Sequence, residues 1–396
     1  ISPGESGFIR TSLTQQLYAA PNYGAGYSDP TGTCTSGLDP FGFMRPSQDC
    51  IDYISAHPAN TTELKQQAVE LNLQGKLFDL PAGEVRTAIG AGYRRNTFSF
   101  KPDDLLRVPI SSQGHVDLSG TYIVEPAEGA VSVKEVYGEL LIPLLRNAFI
   151  AQSLEASLGY RYSDYSMTGG VHAYKADLIW APVDALLVRG GYQRAVRAPN
   201  VNELFQPPTS VLASPQDPCN STVNLPWANR PGNPDRAQMQ SLCRAMMGTG
   251  APPILNPISD PTGLNNYVGS DKSVPSVVAG NPGLGAEKAD TFTAGIVFQP
   301  RWALPLDTRL SISVDWYKID LKDAISYVSA QAAYDFCFNA NGMTNTAYDP
   351  NYVYCRFIER DDRPGSLGVP NRVSVTYQNQ GTLRTEGVDF QVDLNS

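Results

Sequence analysis

Apolar and polar residues alternate strictly along several separate segments of the chain. In QAVELNLQGKL, Val69, Leu71, Leu73 and Leu77 share one side, and Glu70, Asn72, Gln74 and Lys76 share the other. In SLEASLGYRYSDY, Leu154, Leu158, Tyr160 and Tyr162 oppose Glu155, Ser157, Arg161 and Ser163. TFTAGIVF (Phe292, Ala294, Ile296, Phe298), RLSISVDWYK (Leu310, Ile312, Val314, Trp316) and GVDFQVDL (Val388, Phe390, Val392, Leu394) repeat the pattern. A period of two belongs to an extended strand with one apolar and one polar face. The pattern predicts about nine strands, near 66–79, 84–98, 131–143, 152–166, 171–181, 185–197, 288–300, 307–328 and 372–394.

The connections between these strands differ in length in a regular way. PAGE (81–84), NAFIAQ (147–152), PVD (182–184) and RWALPLD (301–307) are short, whereas 98–130, 198–287 and 329–371 are long. SMTGG (166–170) is short but lies on the long-loop side. Short turns on one rim and long loops on the other are the pattern of a membrane β-barrel, and Tyr and Trp near strand ends match its aromatic girdles. A soluble β-sandwich, which also alternates, is the competing fold. Three short helices are expected in the long loops. One starts after Ser47, one is capped by Asn233 with Pro234 in its first turn and Gly248 at its end, and one starts from Ser329. The second would bury Met239, Leu242, Cys243 and Met246.

Six cysteines fall into three local pairs, Cys34 with Cys50, Cys219 with Cys243, and Cys337 with Cys355. None has the spacing of a zinc site, and all lie on the long-loop side, which favours loop disulfides formed in an oxidising compartment over free thiols. Net charge is −9, which argues against a nucleic-acid partner. No apolar run is long enough for a membrane helix, which leaves strands as the only means of crossing. No hydrolase, zinc-protease, phosphate-loop or calcium-loop motif occurs. The Arg360 to Asp362 run reads as a solvated loop segment.

Seven segments, taken in order, carry a family resemblance: LFDLPAGEVRTAIGAGYRR (77–95), VKEVYGELLIPLL (133–145), LEASLGYRYSDYS (154–166), GGYQRAVRAPNVNELFQP (190–207), NPGLGAEKADTFTAGIVFQP (281–300), LSISVDWYKIDLKDAI (310–325) and NQGTLRTEGVDFQVDL (379–394). They resemble the barrel of TonB-dependent outer-membrane receptors, in the group common in proteobacteria such as Caulobacter, Xanthomonas and the sphingomonads. The resemblance implies an all-β fold, an antiparallel up-and-down transmembrane β-barrel with long external loops carrying short helices. The chain is then partial, with about nine strands where such receptors have about 22. Residues 1–65 would be an incomplete external loop region and 66–396 the barrel, with the plug domain and the C-terminal strands lacking. The expected location is the bacterial outer membrane. The expected partners are outer-membrane lipid, a small nutrient ligand, and the TonB complex through an N-terminal region outside this chain; neither a cofactor nor an enzymatic activity is implied.

Within that frame Arg189, Arg194 and Arg197 stand on a strand that Pro199 ends, since proline has no N–H for the ladder. Alternation puts Arg189 and Gln193 on one side and Tyr192 and Arg194 on the other. The arginines either contact a plug or an anionic ligand, or pair with carboxylates on neighbouring strands. Tyr267, Tyr334, Phe336 and Arg356, in or beside the disulfide-bearing loops, are the remaining ligand-binding candidates, with packing beneath the loop as their alternative role. A soluble, disulfide-bearing all-β binding or adhesion domain is the alternative function.

Overall fold

The computed structural model describes residues 8–18, 34, 36, 46–109, 116–119, 121, 123–219, 232–247, 274–300, 309–361 and 370–395. The strands discussed below are β1 (Thr61–Leu80), β2 (Gly83–Lys101), β3 (Ala127–Ala148), β4 (Ala151–Tyr165), β5 (Gly169–Val183), β6 (Leu186–Arg197), β7 (Val274–Ala279), β8 (Glu287–Phe298), β9 (Arg309–Lys322), β10 (Ile325–Tyr327), β11 (Ile358–Arg360), β12 (Pro370–Asn379) and β13 (Thr382–Asn395). The helices are α1 (Thr11–Tyr18), α2 (Gln48–Ile54), α3 (Asp104–Arg107), α4 (Val201–Phe205), α5 (Arg236–Met247) and α6 (Ala330–Cys337).

Nine strands form one sheet, in the order β13-β9-β8-β6-β5-β4-β3-β2-β1. The pairings with a described register are all antiparallel. Chain order is kept across the sheet, so this is an up-and-down array with β1 and β13 at its ends. The turns at one rim are two residues long at 81–82, 149–150 and 184–185. The first needs Gly83 at φ +142°, a backbone state that side chains disfavour. Alternation fixes the faces. One row of the apolar face runs Val188, Ile296, Val314, Phe390, and the matching row of the other face runs Arg189, Gly295, Asp315, Asp389.

Two of the expected strands are each two. The run expected at 307–328 divides into β9 and β10, with Asp323 at φ +57° between them. The run expected at 372–394 divides into β12 and β13 at Gly381, whose φ is +74°. Only β13 joins the nine-stranded sheet. β12 belongs to a smaller sheet, where it pairs parallel with β7 and antiparallel with β10 and β11. β7 and β11 are not legible in the alternation.

The chain forms two compact units. The first comprises residues 1–64, 98–128 and 207–210. In it Leu17, Cys34, Cys50 and Ile54 form one small core, and Ala56, Leu106, Val116 and Leu118 another. Arg10 and Ser12 converge on the buried Asp117 carboxylate, at 2.8 and 2.7 Å. The second unit comprises 65–97, 129–206 and 211–396 and holds most of the large sheet. Its principal core is in the loop elements and packs α5, α6, β7, β11 and β12 around two disulfides.

The three expected helices form, with one start moved; Gly248, expected to end the second, lies outside the described residues. Ser329 caps α6 by accepting from the Ala332 amide. α2 follows Ser47, whose hydroxyl caps no helix amide and instead bonds the Ser36 hydroxyl and the Cys50 sulfur. α5 begins at Arg236, because Asn233 closes a separate turn by accepting from the Asp235 amide, which leaves Pro234 outside the helix. Met239, Leu242 and Cys243 are buried on its inner face and Met246 packs against them, as periodicity predicts.

Candidate functional site

The arginines of β6 occupy both faces of the sheet, and each has a carboxylate partner. Arg189 reaches across β8 to Asp315 on β9, with two N–H groups donating at 2.7 and 2.6 Å. It passes over Gly295, which stands between the two in register. A Cβ at Gly295 would overlap the Asp315 carboxylate, so the bridge requires glycine there. Arg194 stands on the apolar face and forks onto Asp290 at 2.8 and 2.9 Å. The same carboxylate accepts from the Tyr192 hydroxyl at 2.7 Å.

Arg197, at the loop end of β6, holds two carboxylates together. It donates to Glu287 on β8 at 2.5 Å and with both terminal nitrogens to Glu203 on α4 at 3.0 Å. Asn200 and Glu203 form a capping box that starts α4, satisfying two amides that the helix leaves open. Glu287 also accepts from the Ile325 amide at 2.6 Å. Beneath this junction Leu204, Val131 and Leu284 form a small core. The segment from Arg197 to Phe205 therefore locks the first long-loop element onto the barrel strands.

Elsewhere on the polar face, long side chains lie flat against glycines of neighbouring strands. Tyr137 crosses Gly90 to reach Asn72 and Glu70, and Arg161 stacks on its ring at 4.5 Å. Lys175 lies over Gly159 and donates to Glu139 at 3.2 Å. Near the short turns a recess of about 550 Å³ is bordered by Lys76, Glu84, Arg86, Glu139 and Ser157. The face is not uniformly polar, since Leu141 and Ile179 also stand on it.

The loop elements carry the other candidates. The expected disulfides are present as Cys34–Cys50, Cys219–Cys243 and Cys337–Cys355. Tyr334 is fully buried in the core that holds the last two pairs, and burial pushes its phenol pKa up. Phe336 packs against Tyr354 at 4.9 Å between ring centres, and Tyr354 in turn meets Tyr352 and Phe357. Arg356 is exposed beside this aromatic group. Tyr267 lies outside the described residues.

Sequence reasoning missed one feature of this core and misread part of it. Arg360, expected in a solvated segment, is buried to 4% side-chain exposure and forks onto Asp217, itself at 1%, at 2.8 and 2.9 Å. No local signal joins residues 143 positions apart. Among the described residues no cluster of three or more His, Cys, Asp or Glu side chains is placed to hold a metal. No described helix is long and apolar enough to cross a membrane, which says nothing about strands.

Several solved receptor structures resemble the chain. The ferric enterobactin receptor PfeA of Pseudomonas aeruginosa matches at 12% identity and a TM-score of 0.49, over 86% of this chain and 34% of that one. The siderophore receptor PirA of Acinetobacter baumannii matches at 12% and 0.45, over 86% and 36%. The hemophore receptor HasR of Serratia marcescens matches at 12% and 0.46, over 86% and 41%. The chain thus spans little more than a third of the length of these structures. Among curated proteins none matches. The family described as TonB dependent receptor-like, beta-barrel matches residues 6–395, and with this match over nearly its whole length the chain belongs to that family.

Proposed function

We propose that this chain is the membrane-embedded and ligand-facing part of a bacterial outer-membrane receptor that imports a scarce nutrient with energy delivered through TonB. One observation carries the reading. A band of large apolar side chains runs exposed across the sheet, including Leu71 (74%), Ile296 (50%) and Phe390 (68%). Contiguous exposed apolar surface on this scale is unfavourable in water and favourable against lipid. The strands are also long enough. At roughly 3.3 Å per residue the 15 residues of β4 extend about 50 Å, against a hydrocarbon core of about 30 Å.

Lipid then covers the apolar face, and the opposite face lines the lumen, where Arg189 and Arg197 belong. Cargo meets the loop elements first. The exposed Arg356 and the shelf of Phe336 and Tyr354 are the proposed contact points, with Tyr267 among the further candidates. Tyr334, being fully buried, acts by holding that shelf in place. Iron–siderophore, cobalamin, saccharide and peptide cargoes are the candidates, and thermal-shift titration with each distinguishes them. The alternative, a soluble adhesion domain, requires the apolar face to be covered by protein. Fractionation of cells making the complete receptor decides between the two. Recovery in the outer membrane, released only by detergent, is the expected result; recovery in the soluble periplasmic fraction would overturn the proposal.

A further inference from the structure

On the apolar face, β6, β8, β9 and β13 stack in register as a series of rows. Val188, Ile296, Val314 and Phe390 form an apolar row, followed toward the loops by Gly190, Ala294, Trp316 and Val388, then by Tyr192, Phe292, Lys318 and Glu386. The next row is Arg194, Asp290, Asp320, Arg384, and it neutralises itself. Arg194 bonds Asp290 at 2.8 Å and Arg384 bonds Asp320 at 2.6 Å.

The last row is different. Val196, Lys288, Lys322 and Thr382 stand side by side, so two lysines face each other directly across β8 and β9. Like charges directly opposite on one face destabilise a strand pair. Lys288 is half exposed and comes no closer than 3.9 Å to Asp323. Lys322 is exposed and makes no salt bridge among the described residues; Asp290 and Asp320 act on it only at longer range. The pair leaves positive charge where the neighbouring row is balanced.

We propose that Lys288 and Lys322 together bind a phosphate group of a phosphorylated glycolipid in the outer leaflet. The inference rests on the membrane reading above. The order along the strands, apolar, then partly aromatic, then ion-paired, then cationic, matches an amphiphile whose acyl chains run down the Val314 and Phe390 strip. Height selects the kind of headgroup. Lys288 lies four residues beyond Phe292, about 13 Å along the strand, or about 10 Å along the membrane normal at a tilt of about 40°. A headgroup zone is about 5–7 Å deep on each side. Lysine stems bend a few ångströms toward it. A phosphate carried on a sugar reaches this level more readily than a simple phosphodiester next to the acyl chains.

The test uses the complete receptor in neutral maltoside micelles, its folding checked by heat-dependent gel mobility. It is titrated with diphosphorylated lipid A, with the same lipid stripped of both phosphates, and with inorganic phosphate, and bound lipid is counted by native mass spectrometry. The phosphorylated lipid is expected to bind at least tenfold more tightly than the stripped one. Lys288→Ala with Lys322→Ala should erase the difference, and Lys288→Arg with Lys322→Arg should keep it. Equal binding of the two lipids, a preference that survives the double alanine change, or equal competition by inorganic phosphate would overturn the proposal. Spin labels on the Val314 and Phe390 strip separate the two readings. Lipid contact there without a phosphate preference rejects the lysine site alone, whereas burial there rejects the membrane reading with it.

Discussion

Replacing Asp217 with alanine leaves the Arg360 guanidinium buried without the carboxylate it forks onto. The two side chains are 1% and 4% exposed, so water replaces little of what is lost. Breaking a buried pair from one side typically costs about 3–5 kcal/mol, because the remaining charge stays desolvated. The Cys219 amide also donates to Asp217 at 3.0 Å and loses its acceptor, adding about 1 kcal/mol. The loss should stay local, since the disulfides at Cys219–Cys243 and Cys337–Cys355 close the loops around it. Amide exchange read by mass spectrometry tests this. Peptides covering α6 and β12 should lose about 10³–10⁴-fold of protection, by the relation of about 1.4 kcal/mol per tenfold, while β4 and β5 keep theirs. Asp217→Leu combined with Arg360→Met should recover most of it, as apolar replacement of both partners is close to neutral. A loss under tenfold in the single variant, or a double variant as damaged as the single, would show that the Asp217–Arg360 bridge does not hold this core together.

Gly295→Val should separate Arg189 from Asp315 and destabilise the sheet by about 1–3 kcal/mol through overpacking, read as a lowered urea midpoint in lipid vesicles; an unchanged midpoint contradicts the assigned crossing. Cys337→Ser with Cys355→Ser opens a loop of sequence separation 18, and the loop elements should lose about 3 kcal/mol in the same exchange experiment, with the large sheet unaffected. In the first unit, burial alone would raise the Asp117 carboxyl, but the Ser12 hydroxyl and amide and the Arg10 guanidinium outweigh it and hold it below its ordinary value of 3.8. A depressed carboxyl stabilises the fold above its unfolded value, and that contribution disappears as pH falls through the folded one. Protease cutting of residues 1–64 should therefore rise as pH drops below about 4 in the wild type and show a much flatter profile in Asp117→Asn.

What alternation could reveal was the membrane-type sheet, because a period of two encodes which residues share a face. It placed Arg189 and Arg194 on opposite sides, and the structure does the same. It joined β9 to β10 and β12 to β13 because Asp323 and Gly381 turn the chain by backbone angle alone, which the apolar pattern does not mark. The loop core was less legible for a different reason. Its disulfides and helices are local, with pairs 18 and 24 residues apart, and could be read. The parallel pairing of Ser276 with Val373 and the Asp217–Arg360 bridge join distant stretches that no local period marks. The carboxylate partners of the arginines are equally distant, with Asp315 lying 126 residues from Arg189.

The proposed function requires the apolar face to meet lipid. Spin labels placed singly at Leu71, Leu158, Ile296 and Phe390, in the complete receptor reconstituted in bilayers, test it by collision with oxygen and with a water-soluble nickel complex. Frequent oxygen and rare nickel collisions at all four positions are the predicted result. Protection from both reagents would mean that protein covers this face and that the sheet is not embedded in lipid.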